Sequence, residues 1–152
     1  MISVQMKKIV YVDMDDVLCD YTSQFNQHIE RNPSIRFPQS QYGFFANLKP
    51  IDGAIDAMEA LLASQYEPYI LTAPSYMNPM CYTEKRVWVE KHLGMEYVKR
   101  LILSPNKSLL NGHYLIDDNH QGKGQDNFKG TLMLFGSEIF PDWAAIRRTL
   151  LV

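Results

Sequence analysis

The stretch Ile-Val-Tyr-Val-Asp-Met-Asp-Asp-Val-Leu-Cys-Asp at residues 9–20 decides the fold prediction. Its first four residues are β-branched or aromatic and do not alternate with polar ones, which is typical of a parallel strand buried on both faces. A short buried helix would show the same run. The run ends at Asp13, Asp15 and Asp16, three carboxylates in four residues that a dry core does not accommodate. The sequence therefore predicts a buried strand whose carboxyl end opens to solvent.

Strand-like and helix-like segments alternate along the rest of the chain. Amphipathic patterns predict helices over residues 51–64, over residues 82–93 and from near Pro141, and in the second of these we expect Val87, Trp88 and Leu93 to share one face. Further apolar runs that predict strands lie at residues 69–72, 101–103, 114–116 and 131–135. This alternation predicts an α/β fold with a doubly wound, Rossmann-like parallel sheet of about five strands.

The length of 152 residues leaves room for one domain, residues 1–152. The segment 20–48 is polar and aromatic by turns, has no strong period and contains Pro33, Pro38 and Gly43. We interpret it as a small cap inserted after the first strand.

Composition excludes several classes of protein. Seventeen acidic and fifteen basic residues give a net charge of -2, so the surface lacks the positive field that binding of a polymeric nucleic acid requires. Cys19 and Cys81 have no C-x-x-C spacing, which favours a reducing compartment and a cytoplasmic location. The apolar stretch before Asp13 is too short for a signal sequence or a membrane span. The sequence is compatible with a homodimer and does not fix the oligomeric state.

Polar side chains follow the carboxyl ends of four predicted strands, the edge where ligands collect in such folds. Each one alone has an ordinary interpretation as a solvated turn, a helix cap or a surface lysine. Together, five carboxylates at one edge would repel each other unless a cation neutralised them, and their hard oxygen ligands suit Mg²⁺. A lysine and a hydroxyl beside such a site are groups that bind a phosphoryl group. The residues concerned are Asp13, Asp15, Asp16, Thr72, Ser75, Ser104, Lys107, Asp117, Asp118 and Asn119.

These motifs resemble the haloacid dehalogenase superfamily of aspartate-nucleophile phosphatases over most of the chain. The four motifs stand in the family's order at residues 13–18, residues 70–73, Lys107 and residues 115–118. Within the superfamily, the chain is similar to the 5'(3')-deoxyribonucleotidase branch at residues 13–20, 72–75 and 84–94, at Phe135-Gly136 and at Trp143.

The resemblance implies a Mg²⁺-dependent phosphomonoesterase that acts on a small molecule, a nucleoside monophosphate, through a phosphoaspartyl intermediate. Asp13 would be the nucleophile, and Asp15 would be the general acid and base. Thr72, Ala73 and Lys107 would hold the phosphoryl oxygens.

The resemblance also implies the ligands of the metal. Mg²⁺ would be held by the Asp13 carboxylate, the backbone carbonyl of Asp15 and one of the pair Asp117 and Asp118. Adjacent residues that leave a strand point in opposite directions, so both are not expected to ligate directly. The family pattern favours Asp118 as the direct ligand, with Asp117 acting through water.

The chain departs from the branch at two places that concern the substrate. Asp16 stands where the branch commonly has glycine, which adds charge beside the site. The segment 20–48 is shorter than the usual cap. Its aromatic side chains either stack on a nucleobase or pack the cap's own core. They are Phe25, Phe37, Tyr42, Phe44 and Phe45.

Three other functions stay open at this point. A phosphatase of the same superfamily could act on another phosphomonoester such as a sugar phosphate. A response-regulator receiver also uses acidic residues, Thr or Ser and Lys, but its phosphoacceptor stands alone after a middle strand, where this chain has Thr72 and Leu103. A domain that binds phosphate compounds without hydrolysing them would lack Asp13, Asp15 or Lys107, and all three are present.

Overall fold

The computed structural model describes residues 6–152, and five strands form one parallel sheet in the order β3-β2-β1-β4-β5. The first part of the N-terminal stretch, residues 1–5, for which the sequence predicts no membrane span, lies outside the described residues. The predicted doubly wound parallel sheet is confirmed. The strands are β1 (Lys8–Val12), β2 (Tyr66–Thr72), β3 (Leu101–Leu103), β4 (Tyr114–Asp117) and β5 (Thr131–Leu134).

The strand order places a switch in direction between β1 and β4. From β1 the chain moves outward to β2 and β3, and it then returns to the other side of β1 for β4 and β5. Connections diverge at such a switch point and leave a crevice at the carboxyl ends of the strands. Receiver domains have the flavodoxin-like order 2-1-3-4-5. The receiver interpretation therefore does not fit this sheet.

Five helices cover the sheet and the cap. Two helices begin later than predicted because a helix-capping residue fixes their first turn. Gly53, with a φ of 80°, precedes α2, and the Asp142 side chain accepts a hydrogen bond from the N–H of Ala145 at the start of α5. In residues 6–152 no helix has the length and apolar character that crossing a membrane requires. The helices are α1 (Tyr21–Arg31), α2 (Ala54–Leu62), α3 (Cys81–Leu93), α4 (Met95–Val98) and α5 (Trp143–Leu150).

The sheet is buried on both faces, as the unbroken apolar run of β1 predicts. Val10 and Val12 point into the larger apolar cluster, whereas Tyr11 points into the smaller one on the other face. The larger cluster contains Trp88 and Trp143, whose indole N–H groups each donate 2.8 Å hydrogen bonds to backbone carbonyls. These two bonds attach α3 and α5 to the segments that surround the carboxyl end of β1.

The buried face of α3 differs from the prediction. Trp88 is buried as expected, but Val87 is 43% exposed, so the predicted grouping of Val87 with Trp88 is wrong. The face turned to the core contains Glu84 and Lys85 instead. Two charged side chains on a buried helix face need partners, and Lys85 finds them at the crevice whereas Glu84 finds them in the cap.

Candidate active site

A cavity of about 520 Å³ opens at the carboxyl ends of the strands, beside the switch point. Three of the strand-end residues singled out by the sequence, Asp16, Ser75 and Asn119, line it, whereas Ser104 does not. Of the seven residues to which the family resemblance assigns a role, five lie in its wall: Asp13, Asp15, Ala73, Lys107 and Asp118. The other two, Thr72 and Asp117, are fully buried and bind lysines behind or within that wall. The volume lies in the range of cavities that hold small organic ligands.

Lys107 is a buried cation between two buried carboxylates. Its Nζ donates to Asp13 Oδ1 at 2.9 Å and to Asp117 Oδ2 at 2.5 Å. Lys107 is 1% exposed, Asp13 is 6% exposed and Asp117 is 0% exposed. Burial alone would lower the pKa of Lys107, but the two carboxylates outweigh burial and raise it. The lysine therefore stays charged.

The backbone around Lys107 is fixed by the loop that follows β4. Lys107 lies in a 3-10 turn, Lys107–Leu109, and its N–H donates to the carbonyl of Lys123 at 2.6 Å. Gly124 has a φ of 86°, and a Cβ there would lie 2.1 Å from Asn106 Oδ1 and 3.0 Å from the backbone N of Lys107. Only glycine fits this approach of the two loops.

Carboxylate oxygens of Asp13, Asp117 and Asp118 lie within 4.8 Å of one another. Burial and the neighbouring Asp13 carboxylate raise the pKa of Asp118 to about 8. Both oxygens of Asp117 already accept hydrogen bonds: Oδ2 accepts from Lys107, and Oδ1 accepts the N–H of Asn119 at 2.9 Å. An all-oxygen donor set that repels itself in this way fits a hard divalent cation such as Mg²⁺.

Lys85 is a site residue that sequence reasoning missed. Its Nζ lies 2.5 Å from Thr72 Oγ1, 3.0 Å from the Ala73 carbonyl and 3.2 Å from Asp15 Oδ2. Burial alone would lower the pKa of Lys85, but the neighbouring acidic groups, above all Asp15, outweigh burial and raise it. One signal in the sequence could have revealed it. Cys81, Lys85 and Trp88 stand at positions i, i+4 and i+7 of one helix face, so Lys85 occupies a place where a buried apolar residue is usual.

Glu84, the neighbour of Lys85, fastens the cap to α3. Its two carboxylate oxygens accept the backbone N–H groups of Gly43, Phe45 and Ala46 at 2.9, 3.0 and 3.4 Å. Asn78, on the loop after β2, donates to two carbonyls of the cap, at residues 39 and 41. The cap loop is thereby fixed over the cavity.

The structure places the cap aromatics in different surroundings. Phe44 and Phe45 are both buried in the larger apolar cluster, against which Phe25 packs, and Phe45 also lines the cavity. Phe37 and Tyr42 are exposed and line no part of the cavity. Tyr21, which the sequence did not single out, is the second aromatic residue of the cavity wall, and burial raises its pKa to about 12.

Asp16 combines a strained backbone with a capping role. Its φ of 62° makes it the only non-glycine residue with positive φ in residues 6–152, which explains why glycine suits this position. Its Oδ1 accepts the N–H groups of Tyr21 and Thr22 at 3.0 and 2.9 Å. Asp16 therefore satisfies two N–H groups in the first turn of α1, beside the N-cap residue Asp20, whose side chain accepts the N–H of Ser23.

Comparison with known proteins agrees with this geometry. The family described as "5' nucleotidase, deoxy (Pyrimidine), cytosolic type C protein" matches residues 30–144. A protein of Vibrio phage KVP40 named "Putative 5'(3')-deoxyribonucleotidase" is 42% identical over 142 residues, which are 92% of this chain and 82% of that protein. The human 5'(3')-deoxyribonucleotidase of cytosolic type is 32% identical over 147 residues, covering 77% of this chain and 73% of its own length.

Solved structures share the fold at low sequence identity. A hydrolase from Streptococcus pneumoniae TIGR4 superposes with a TM-score of 0.56 at 11% identity, covering 97% of this chain and all of the other. A HAD family hydrolase from Deinococcus radiodurans R1, solved with phosphate and sodium bound, gives 0.55 at 14% identity over 93% of this chain and 88% of the other. Together with the sequence matches, the comparisons show that the chain belongs to the 5'(3')-deoxyribonucleotidase family of the haloacid dehalogenase superfamily and is a phosphoric monoester hydrolase.

Proposed function

We propose that this protein is a Mg²⁺-dependent phosphatase that hydrolyses pyrimidine deoxyribonucleoside monophosphates in the cytoplasm, with Asp13 as nucleophile. The observation that carries the proposal is the placement of the Asp13 carboxylate. It lines the cavity at the switch point, Lys107 holds one of its oxygens, and the carboxylates of Asp117 and Asp118 lie beside it. Residues 1–152 act as one domain, and residues 20–48 form its cap.

In the first step an oxygen of Asp13 attacks the phosphorus atom, and the bond from phosphorus to the substrate's ester oxygen breaks. The Asp15 carboxyl gives its proton to the leaving alkoxide, which leaves as an alcohol. Lys85 binds Asp15 Oδ2 and holds that side chain at the cavity wall. The product of the step is a phosphoaspartyl group on Asp13.

In the second step water attacks the phosphorus atom and transfers a proton to the Asp15 carboxylate. The bond from phosphorus to Asp13 breaks, so inorganic phosphate leaves and both aspartates return to their starting state. Ala73 and Lys107, which line the cavity, hold the phosphoryl oxygens in both steps, whereas Thr72 is fully buried and contributes from behind the wall by binding Lys85. Lys107 also reduces the repulsion between Asp13 and the anionic substrate, because its ammonium group is in contact with the nucleophile.

Asp13, the backbone carbonyl of Asp15 and the Asp118 carboxylate would hold the metal. Asp118 is the better candidate for the direct ligand, since it lines the cavity, whereas Asp117 is fully buried and accepts a hydrogen bond on each oxygen. When bound there, Mg²⁺ would neutralise the charge that the phosphoryl oxygens carry in the transition state.

The substrate class rests on the family and on the cap. The family description and the names of the relatives specify deoxyribonucleotides, and the family description also specifies a pyrimidine base. Tyr21 and Phe45 give the cavity two aromatic rings on the cap side, and a nucleobase offers a π face to such rings. Two free, buried cysteines, Cys19 and Cys81, support a reducing compartment.

The test is phosphate release from deoxyribonucleoside and ribonucleoside 5'- and 3'-monophosphates and from sugar phosphates, with Mg²⁺ or with EDTA. We expect metal-dependent release that is fastest with pyrimidine deoxynucleotides and is abolished in Asp13→Asn. Asp15→Asn, mixed with p-nitrophenyl phosphate, should accumulate the phosphoenzyme, because that leaving group needs no proton whereas the water attack needs a base. Equal rates on sugar phosphates would refute the substrate class, and full activity of Asp13→Asn would refute the mechanism.

A further inference from the structure

The cations of the cavity are not equally available to an anionic substrate. Lys107 is bound between Asp13 and Asp117, and Lys85 is bound to Asp15. Lys123 also lines the cavity, yet within residues 6–152 it forms no salt bridge. It is therefore the cavity-lining lysine whose charge no carboxylate of the described chain neutralises.

The Lys123 side chain rests on an aromatic ring. Its Nζ lies 5.0 Å from the centroid of Tyr76, a residue that is 67% exposed and directly follows cavity-lining Ser75. The contact joins the loop after β4 to the loop after β2, on opposite sides of the cavity. A cation over an exposed ring is held weakly compared with a cation on a phosphate.

The backbone of Lys123 is fixed while its side chain is free to turn. Its carbonyl accepts the N–H of Lys107 at 2.6 Å, and its own N–H donates to Gln125 Oε1 at 2.7 Å. These bonds place Lys123 beside Lys107. Because Nζ has no hydrogen-bond acceptor in the described part of the chain, a turn of the side chain into the cavity breaks only the contact with Tyr76.

We propose that Lys123 is a substrate-binding residue whose ammonium group leaves the Tyr76 ring and pairs with the non-bridging oxygens of the substrate's dianionic phosphate. The inference rests on the proposed phosphatase function and adds a residue to it. The need for such a cation follows from the wall of the cavity, which presents four carboxylates, those of Asp13, Asp15, Asp16 and Asp118. A dianion that enters the cavity is repelled by these carboxylates. Lys107 and Lys85 offset the repulsion only in part, since each is already paired with aspartates.

The test compares Lys123→Gln with Lys129→Gln. Both variants lose one positive charge, and Lys129 is exposed and does not line the cavity. For the deoxynucleotide that the wild type hydrolyses best, we expect KM to rise about tenfold in Lys123→Gln with kcat changed less than about twofold, because a charge-assisted hydrogen bond to the bound phosphate is lost. Lys123→Arg should keep a KM within about threefold of wild type.

Salt gives a second readout that a structural role would not change. Added NaCl should lower kcat/KM less steeply in Lys123→Gln than in the wild type and in Lys129→Gln, because the screened attraction is absent. Tyr76→Leu should leave KM equal to or below the wild-type value, since the ring competes with the substrate for Lys123. A KM of Lys123→Gln equal to that of Lys129→Gln, or a Tyr76→Leu variant with a tenfold higher KM, would overturn the proposal.

Direct binding separates this inference from the proposed function. Isothermal titration of inorganic phosphate into each protein with Mg²⁺ present should give a Kd about tenfold higher for Lys123→Gln than for Lys129→Gln. If no nucleotide is hydrolysed but this difference is found, the substrate proposal fails and the role of Lys123 stands. Equal phosphate affinities in the two variants would exclude that role whatever the substrate is.

Discussion

Replacing Lys107 by Met tests whether the buried lysine holds the site together. The substitution keeps most of the side-chain volume and removes the ammonium group that contacts Asp13 at 2.9 Å and Asp117 at 2.5 Å. Both carboxylates remain in place, and both are almost inaccessible to water. The variant therefore leaves two uncompensated acids side by side in the core.

Breaking a buried ion pair by removing one partner costs about 3–5 kcal/mol, because the remaining charge has lost both solvent and counter-ion. For a chain of this size each kcal/mol lowers the melting temperature by about 2–4 °C, so we expect a decrease of about 6–20 °C. The deficit should depend on pH. Burial and the Asp13 charge already raise the pKa of Asp117 in the presence of Lys107, and removing the lysine raises it further. An acid with a raised pKa in the folded state loses stability as pH rises, so the deficit should be larger at pH 8 than at pH 5.

The assay is thermal and urea unfolding in EDTA at both pH values, with Lys129→Met as the control. Lys129 is exposed, and its replacement should change stability by less than about 0.5 kcal/mol. The double variant Lys107→Met/Asp117→Asn should recover part of the loss, because one of the stranded charges is then absent. A Lys107→Met protein as stable as Lys129→Met at pH 8 would show that the lysine does not stabilise the two carboxylates.

Three further predictions concern backbone strain, loop contact and titration. Asp16→Ala should be less stable to urea than Asp16→Gly by about 1 kcal/mol, because both lose the hydrogen bonds to the N–H groups of Tyr21 and Thr22 but only alanine keeps a Cβ at positive φ; equal stabilities would contradict this strain. Gly124→Ala should lower kcat at least about tenfold, because the added Cβ displaces Lys107. Gly94→Ala is the control, since Gly94 has a similar φ and no atom lies within 4 Å of an added Cβ; it should keep kcat and lose only stability. Equal kcat values in the two variants would refute the role of the close approach between Gly124 and Lys107. In the folded state the pKa of Tyr21 is raised from 10.0 to about 12, so the stability that its protonated hydroxyl contributes is present below pH 10 and is lost between pH 10 and 12. Circular dichroism should show a shallower loss of stability over this range in Tyr21→Phe than in the wild type. An identical pH profile in the two proteins would contradict the prediction.

The sheet and the strand-end residues could be predicted from the sequence because they follow from local patterns and one topological rule. Four apolar runs besides the first were read correctly as strands, with ends that agree or differ by at most three residues. β2 begins earlier than predicted and includes Pro68, which is tolerated because β3 starts to pair with β2 only at Ile70. In a parallel sheet, the residues that follow each strand must meet at one edge, so Asp13, Lys107 and Asp118 could be brought together before any coordinates existed.

Lys85 and Glu84 could not be placed in the same way. Helical periodicity assigns charged residues to the solvent face, and this rule fails when their partners come from distant parts of the chain. Lys85 finds Asp15 at a separation of 70 residues, and Glu84 finds the N–H of Phe45 at a separation of 39. No local pattern contains such pairings. The surroundings of the cap aromatics could not be predicted for a related reason. Phe44 and Phe45 both join the larger apolar cluster, and only the path of the chain through the cap decides that Phe45 also lines the cavity.

Three lysines in or behind the cavity wall show how an acidic site can take an anionic substrate. Lys107 and Lys85 are buried and already bound to carboxylates, Lys107 to Asp13 and Asp117 and Lys85 to Asp15. Neither can therefore supply a full positive charge to a phosphate dianion that arrives later. The balance must come from the cation that Asp13 and Asp118 would hold and from a lysine that no aspartate has engaged. Lys123 meets that condition because a tyrosine ring keeps its ammonium group beside the cavity without neutralising it.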